Sequence, residues 1–221
     1  MSTTMHDATR TRLLEAAGHV FAEHGFERAT IREICGRAKA NIALVKYYFG
    51  GKDGLYADVL AHGARQSINA FPPDLGLSAT PSPEDRLHAF IHSFLCRLLK
   101  TDQQAGWYAT LCAQEMIVPT AALNRVVQDV IRPLAERLNV IVKQLTPKAS
   151  AEQIRRCSLS IVGQCLFYRH SRPVIERLYG VQRYADADIT RLADHITQFS
   201  LAALRPGTRR AANTKKERAL S

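Results

Sequence analysis

One short stretch of the chain, TIREICGRAKANIALVKYYFGGK from Thr30 to Lys52, gathers hydroxyl, amide, phenolic and ammonium groups at helical spacing. At about 100° per residue, Ile42, Val45 and Phe49 fall on one side of the segment after Asn41, toward a small core. Ala43, Leu44 and Tyr47 fall on the other, flanked by Lys46 and Tyr48. Small, apolar and phenolic side chains beside a lysine make a poor face toward water and a good one toward a DNA major groove. There apolar groups meet thymine methyls, while tyrosine hydroxyls and lysines reach phosphates or base edges. The competing reading is a helix buried in an ordinary bundle, and the start and stop signals around the segment count against it.

Those signals define two short helices across a tight turn. Thr30 is an N-cap, and Glu33 is placed to complete a capping box with it; Ala29 and Ile34 sit where a hydrophobic staple would form. The pattern breaks after Ala38, Asn41 offers a second N-cap, and Gly50 and Gly51 end the second helix because glycine enters the left-handed region without a Cβ penalty. Helices this short do not persist alone in water. The support is a preceding helix with Leu13, Ala16, Ala17, Val20 and Phe21 on one face. His24 ends it, Gly25 takes the left-handed C′ position and Phe26 packs back on Phe21. Residues 1–8 are expected as a loose arm.

The run ATIREICGRAKANIALVKYYFGGKDGLY resembles the DNA-binding signature of TetR-type transcriptional repressors over about the first sixty residues. The resemblance implies an operator-reading helix, with Ile42, Ala43, Leu44, Lys46, Tyr47 and Tyr48 at the bases or backbone, and Asn41 at its start. It also implies that Lys52 clamps a phosphate and that Thr30 lends its hydroxyl, or a nearby N–H, to another. One position departs from the family pattern, since Lys39 stands where such proteins usually carry glycine. A side chain in a left-handed turn costs on the order of 1 kcal/mol. Lys39 is also a candidate phosphate contact.

At 221 residues the chain is long enough for a large core, and its formal charge is +10. Residues 1–60 carry 8 basic and 7 acidic groups, residues 61–204 carry 16 and 12, and residues 205–221 carry 6 and 1. Half the excess lies in the tail, so the argument for DNA rests on where Arg10, Arg28, Arg32, Lys46 and Lys52 sit rather than on the total. The apolar run from Ser158 to Tyr168 is too short to cross a bilayer, and the N-terminus shows no secretory leader. The five cysteines lack metal-type spacing and fit reduced thiols in a cytoplasm.

The fold class expected is all-α. A helix-turn-helix domain (1–51) is joined by a long helix, Lys52 to Ala70, to a helical ligand-binding and dimerisation domain (52–204), followed by a basic disordered tail (205–221). A Pro/Ser/Gly-rich connection (PPDLGLSATPSP) follows the long helix. Helices are then expected at 83–100, 102–118, 122–145, 150–172 and 185–204, with Pro133 as a kink or break. The segments around Ile161 and Ile196 are apolar on more than one side. Ile161, Cys165, Ile196, Phe199 and Ala203 are therefore candidates for a four-helix homodimer interface, against burial inside one protomer. QEMIVPT and SIVGQCLFYRHSRPV are similar to the C-terminal domain of TetR-type regulators of cefoperazone and chloramphenicol sensitivity, which implies a dimerising sensor domain without naming its ligand.

Phe90, Phe94, Trp107, Glu115, Met116, Gln164 and Phe167 are candidates to line an inducer pocket, each aromatic competing with a plain core role. His88, His92 and Cys96 share one helix face without an evident fourth ligand, so no metal and no cofactor is expected. No Gly-rich phosphate loop, nucleophile elbow or paired acidic motif is present, and no enzymatic activity is expected. The sequence thus predicts a cytoplasmic, ligand-responsive, homodimeric repressor that binds a double-stranded, pseudo-palindromic operator and no membrane. Two alternatives remain open. One is a helical small-molecule-binding protein or enzyme with a degenerate reader; the other is a regulator sensing thiol oxidation, with Cys157 beside Arg155 and Arg156 as its only local hint.

Overall fold

The computed structural model describes residues 2–100 and 106–204, all helix and connection, with no strand among them. In order the helices are α1 (Ser2–Arg28), α2 (Ile31–Ala38), α3 (Ala43–Phe49), α4 (Lys52–Ala70), α5 (Pro83–Leu99) and α6 (Gly106–Ile117). They continue with α7 (Ala122–Val126), α8 (Arg132–Leu145), α9 (Ala151–His170), α10 (Arg172–Tyr179) and α11 (Asp186–Leu204). The tail expected to be disordered lies outside the described residues. Two compact units emerge, Met1–Pro72 with Cys96–Ala135, and Pro73–Leu95 with the chain from Glu136 onward.

The first unit holds the helix-turn-helix. Its core joins Leu13, Leu14, Val20 and Phe21 of α1 to Ile34 of α2, Val45 and Phe49 of α3, and Leu55, Tyr56 and Leu60 of α4. Trp107 and Leu111 of α6 and Val126 of α7 belong to the same cluster. The reader is therefore built on α6 and α7 as well as on α1. Three aromatic rings lie at the centre, Tyr56 being 4.9 Å from both Phe21 and Phe26, and Phe21 6.0 Å from Phe26. Asp58, buried on α4, accepts from Arg10 of α1 at 2.5 Å and from Arg125 of α7 at 2.6 Å. The Arg10 and Arg125 side chains are 37 and 49 % exposed and the Asp58 side chain only 10 %, so it is the carboxylate that depends on its partners for solvation.

Three expectations change. The chain is helical from Ser2, not a loose arm; nothing in MSTTMHDATR breaks a helix, as neither glycine nor proline occurs there. Gly25 (φ 75°) does turn the chain out of α1, with helical residues resuming directly after it. Between α7 and α8 the helix continues through a π turn, Val127–Ile131. Pro133 cannot donate an N–H and its ring crowds the preceding turn, and a widened turn is a common way to absorb that. The sequence ends one helix at Arg172 and expects the next only at 185, whereas α10 forms between them. Pro173 lies in its first turn, where proline's fixed φ favours a helix start and its missing N–H is not needed.

In the second unit α9 carries the capping box, Gln153 N donating to the Ser150 hydroxyl at 3.3 Å and Ser150 N to Gln153 Oε1 at 3.0 Å. Ile161 and Cys165 of α9, and Ile189, Ala193 and Ile196 of α11, are buried. Leu159, Phe167 and Phe199 are 63, 54 and 61 % exposed.

Candidate nucleic-acid interface

Thr30 caps α2 as the sequence predicts, its hydroxyl oxygen accepting from Glu33 N at 3.2 Å. The reciprocal half of the capping box does not form, because the Glu33 carboxylate takes His24 Nε2 at 3.0 Å instead. That pair and the two-pronged Arg37–Glu23 bridge (both 2.9 Å) tie α2 to the C-terminal end of α1. The Arg37 guanidinium holds the Glu23 carboxyl below its ordinary range.

The turn is closed by Lys39 in the left-handed region (φ 49°, ψ 49°), the one non-glycine residue with positive φ among those described. Its N–H donates to Gly36 O at 3.2 Å, and Ala40 N to Cys35 O at 3.0 Å. Asn41 then starts α3, its Oδ1 accepting from Ala43 N at 2.8 Å. Gly50 (φ 75°) and Gly51 (φ 137°) end it. Gly54 was not singled out by sequence reasoning, yet a Cβ there would lie 1.8 Å from Phe49 O, so only glycine lets α4 start this close to the end of α3. The dipeptide Asp53-Gly54 inside a helical pattern was the available signal.

Val45 and Phe49 anchor α3 in the core at 2 and 8 % exposure. Tyr47 is 75 % exposed, and Ala43 and Lys46 share its side. Two residues depart from the expected division. Ile42 is 51 % exposed rather than core-facing, because it precedes the first regular turn. Leu44 is half-buried and leans on the core with Tyr48, since a helix of 7 residues has too few anchors to leave its flanks free. The Tyr47 and Tyr48 rings meet edge to face at 5.1 Å.

The basic groups separate by role. Arg10 is spent on Asp58 and lies over the Phe49 ring at 5.2 Å. Arg28 Nε donates to His24 O at 3.1 Å. Arg32, Lys39 and Lys46 are exposed. Lys52 Nζ donates to Glu27 O at 2.9 Å and sits 4.8 Å above the Phe26 ring, which holds the ammonium beside the C-terminal end of α1.

The residues considered for a pocket belong to both units, Trp107, Glu115 and Met116 to the first and Phe90, Phe94, Gln164 and Phe167 to the second. Trp107 is buried against Gly18, and Glu115 is buried and accepts from Tyr56 Oη (2.9 Å), Thr120 Oγ1 (2.9 Å) and Thr120 N (3.1 Å). Phe90 is buried with Phe94 6.4 Å away, Gln164 is half-buried, and Met116 and Phe167 are exposed. Of the interface candidates, Ile161, Cys165 and Ile196 are sealed within the protomer, whereas Phe199 and Ala203 are exposed. His88 pairs with Asp194 at 2.8 Å rather than joining a ligand set.

Two short helices across a tight turn, the second pinned by Val45 and Phe49 with Tyr47 and Lys46 outward, make a helix-turn-helix, the arrangement that DNA-binding proteins of this class dock in a groove. The chain matches the tetR family of bacterial regulatory proteins over residues 13–59, and the C-terminal domain of the HTH-type transcriptional dual regulator CecR over residues 83–204. It belongs to the TetR family of transcriptional regulators, with a CecR-type C-terminal domain. It is 29 % identical over 214 residues to the HTH-type transcriptional repressor NicS of Pseudomonas putida, covering 92 % of this chain and 94 % of that one. It is 29 % identical over 178 residues to CecR of Shigella flexneri, covering 76 and 79 %. Among solved structures it is similar to the fatty acid degradation regulator FadR from Bacillus halodurans (TM-score 0.63, 16 % identity, 88 % of this chain and 99 % of that one). A transcriptional regulator from Rhodococcus sp. Rha1 is also similar (TM-score 0.62, 18 % identity, 88 and 96 %). At those identities the likeness is one of fold.

Proposed function

We propose that this regulator is a cytoplasmic homodimeric repressor whose α3 enters the major groove of a pseudo-palindromic operator and which a small-molecule ligand releases. The observation that carries the reading is the outward presentation of Tyr47 with Ala43 and Lys46 while Val45 and Phe49 hold the helix in place. Ile42 and Asn41 stand at the groove-facing end, with Leu44 and Tyr48 as flanks. Thr30, Lys39 and Lys52 are the proposed phosphate contacts. Two copies related by a twofold axis would place their α3 helices about one turn (~34 Å) or a multiple apart.

Leu159, Gly163 and Phe167 on α9, with Phe199 and Ala203 on α11, supply the apolar exposed surface for pairing. Ligand release works as a population shift. A ligand that prefers the released arrangement by about 5.5 kcal/mol moves the equilibrium from almost wholly bound to almost wholly free. No described helix is long and apolar enough to cross a membrane.

Selection of bound duplexes from a random pool tests the reading. An inverted repeat should emerge, and Tyr47→Ala should lose it while remaining folded and dimeric. Wild-type affinity in that variant would remove α3 from the assigned role.

A further inference from the structure

The connection after α4 and helix α8 enclose a half-open cleft of about 460 Å³, lined among others by Asp74, Leu77, Arg86, Arg137, Val140 and Ile141. None of the residues expected at a pocket from sequence lines it. Its volume falls in the range of small-molecule sites. Arg137 and Asp74 neutralise one another at 3.0 Å. Arg86 is half-buried and its guanidinium has no partner among the described residues. The three ionised side chains of the lining therefore leave one positive charge, set beside the apolar surfaces of Leu77, Val140 and Ile141. Val140 is 57 % exposed although it stands on the cleft wall.

We propose that this cleft binds a small organic monocarboxylate, Arg86 taking the carboxylate in a two-pronged bond while Leu77, Val140 and Ile141 cover the apolar body. A planar guanidinium presents paired donors at the spacing of a carboxylate, and the apolar walls beside it offer the organic body a surface to cover. With Arg137 already engaged by Asp74, the cleft suits one negative charge rather than two. Pro73 and Leu77 belong to the connection that follows α4 directly in the chain. The proposal draws on the ligand-released reading only for an effect on DNA; binding itself stands apart from it.

The test is calorimetric titration of the full chain with benzoate, 2-naphthoate and decanoate, with 2-naphthamide as the uncharged control. At least one acid should bind saturably, and the amide should bind at least about tenfold more weakly than its acid. Arg86→Gln should lose about ten- to a hundredfold in affinity with Tm unchanged, and Arg86→Lys should keep part of it. Val140→Asp, which puts a carboxylate on the wall, should abolish binding. Absence of binding by all three acids up to about 5 mM overturns the proposal, as does equal affinity in Arg86→Gln or for the amide. Release of operator DNA is measured separately. Binding without release leaves the cleft standing and tells against the ligand-released repressor instead.

Discussion

The indole of Trp107 fills the space that a methyl group on Gly18 would need: a Cβ built there lies 2.5 Å from the ring. Gly63 on α4 is occupied in the same way by Tyr108, again at 2.5 Å. Helix α6 is thus seated on the first helix of the reader and on α4 through adjacent aromatic rings, each resting on a glycine.

Gly18→Ala sets two effects against each other. Removing a helical glycine gains about 0.5–1 kcal/mol, while overpacking a buried, rigid ring costs about 1–3 kcal/mol. The overpacking wins, and a net loss of about 1–2 kcal/mol is expected in denaturant melts. In a Trp107→Ala background the clash is gone, and the same substitution should stabilise by about 0.5–1 kcal/mol. Stabilisation in both backgrounds would show that the ring yields, and destabilisation in both would place the cost elsewhere than at Trp107.

Tyr56 links α4 to α6 by its hydrogen bond to Glu115, and its ring meets Phe21 edge to face and Phe26 at a tilt. Burial, then the neighbouring carboxylate, pushes the phenol's pKa well above its ordinary 10. The folded state thus favours the neutral phenol, and this stabilisation is complete below pH 10 and lost as pH climbs toward the folded value. Tyr56→Phe should cost about 1–3 kcal/mol near neutrality by stripping Glu115 of a donor. The gap from wild type should narrow above pH 10, which urea titrations from neutral to alkaline pH would measure.

Phe199 and Ile196 lie three residues apart on α11 with opposite exposures, 61 and 1 %. Phe199→Glu should give a folded monomer by light scattering, with weakened operator binding. Ile196→Ala should leave the oligomeric state alone and cost about 2–5 kcal/mol of stability, as large-to-small changes in cores do. A dimeric Phe199→Glu variant would move the pairing face elsewhere.

Much of this architecture was legible because local chemistry fixed it. The caps at Thr30 and Asn41, the left-handed Gly25, Gly50 and Gly51, and the anchoring of Val45 and Phe49 follow from residue type and spacing. What depended on partners distant in sequence was not. Glu33 chose His24 over its own helix, and Arg10 was drawn to Asp58. Gly18 and Gly63 give no signal of their own in the sequence, because their use lies in Trp107 and Tyr108, about ninety and forty-five residues away, which rest on them. The two-sided apolar pattern around Ile161 and Ile196 leads to an expectation of burial on several faces, but periodicity cannot say which face packs within one protomer: Ile161, Cys165 and Ile196 do, while Leu159, Phe167 and Phe199 stay exposed.

Lys52 is held by Glu27 O and by the Phe26 ring rather than extended into solvent. A preset ammonium loses little freedom on meeting a phosphate. Lys52→Ala should weaken specific and non-specific DNA alike and lower the slope of log affinity against log salt by about one unit. The lost ring contact should cost only about 0.5–1 kcal/mol of stability. An unchanged slope would take Lys52 out of the phosphate contacts.

Lys39 carries a side chain where the backbone asks for none, at φ 49°. Left-handed geometry disfavours it by about 1–2 kcal/mol relative to glycine, while glycine returns about 0.5–1 kcal/mol through its freer unfolded state. Lys39→Gly should therefore be as stable as wild type or up to about 1 kcal/mol more so. Lys39→Val, with branching at Cβ, should lose at least about 1 kcal/mol. Operator affinity divides the two roles of this residue: relief of strain leaves the salt slope alone, whereas loss of a phosphate contact lowers it by about one unit. The exposed ammonium beside the start of α3 favours the second outcome, so Lys39→Gly is expected to yield a protein at least as stable and a weaker, less salt-sensitive DNA binder. A variant with wild-type affinity and slope would confine Lys39 to the turn.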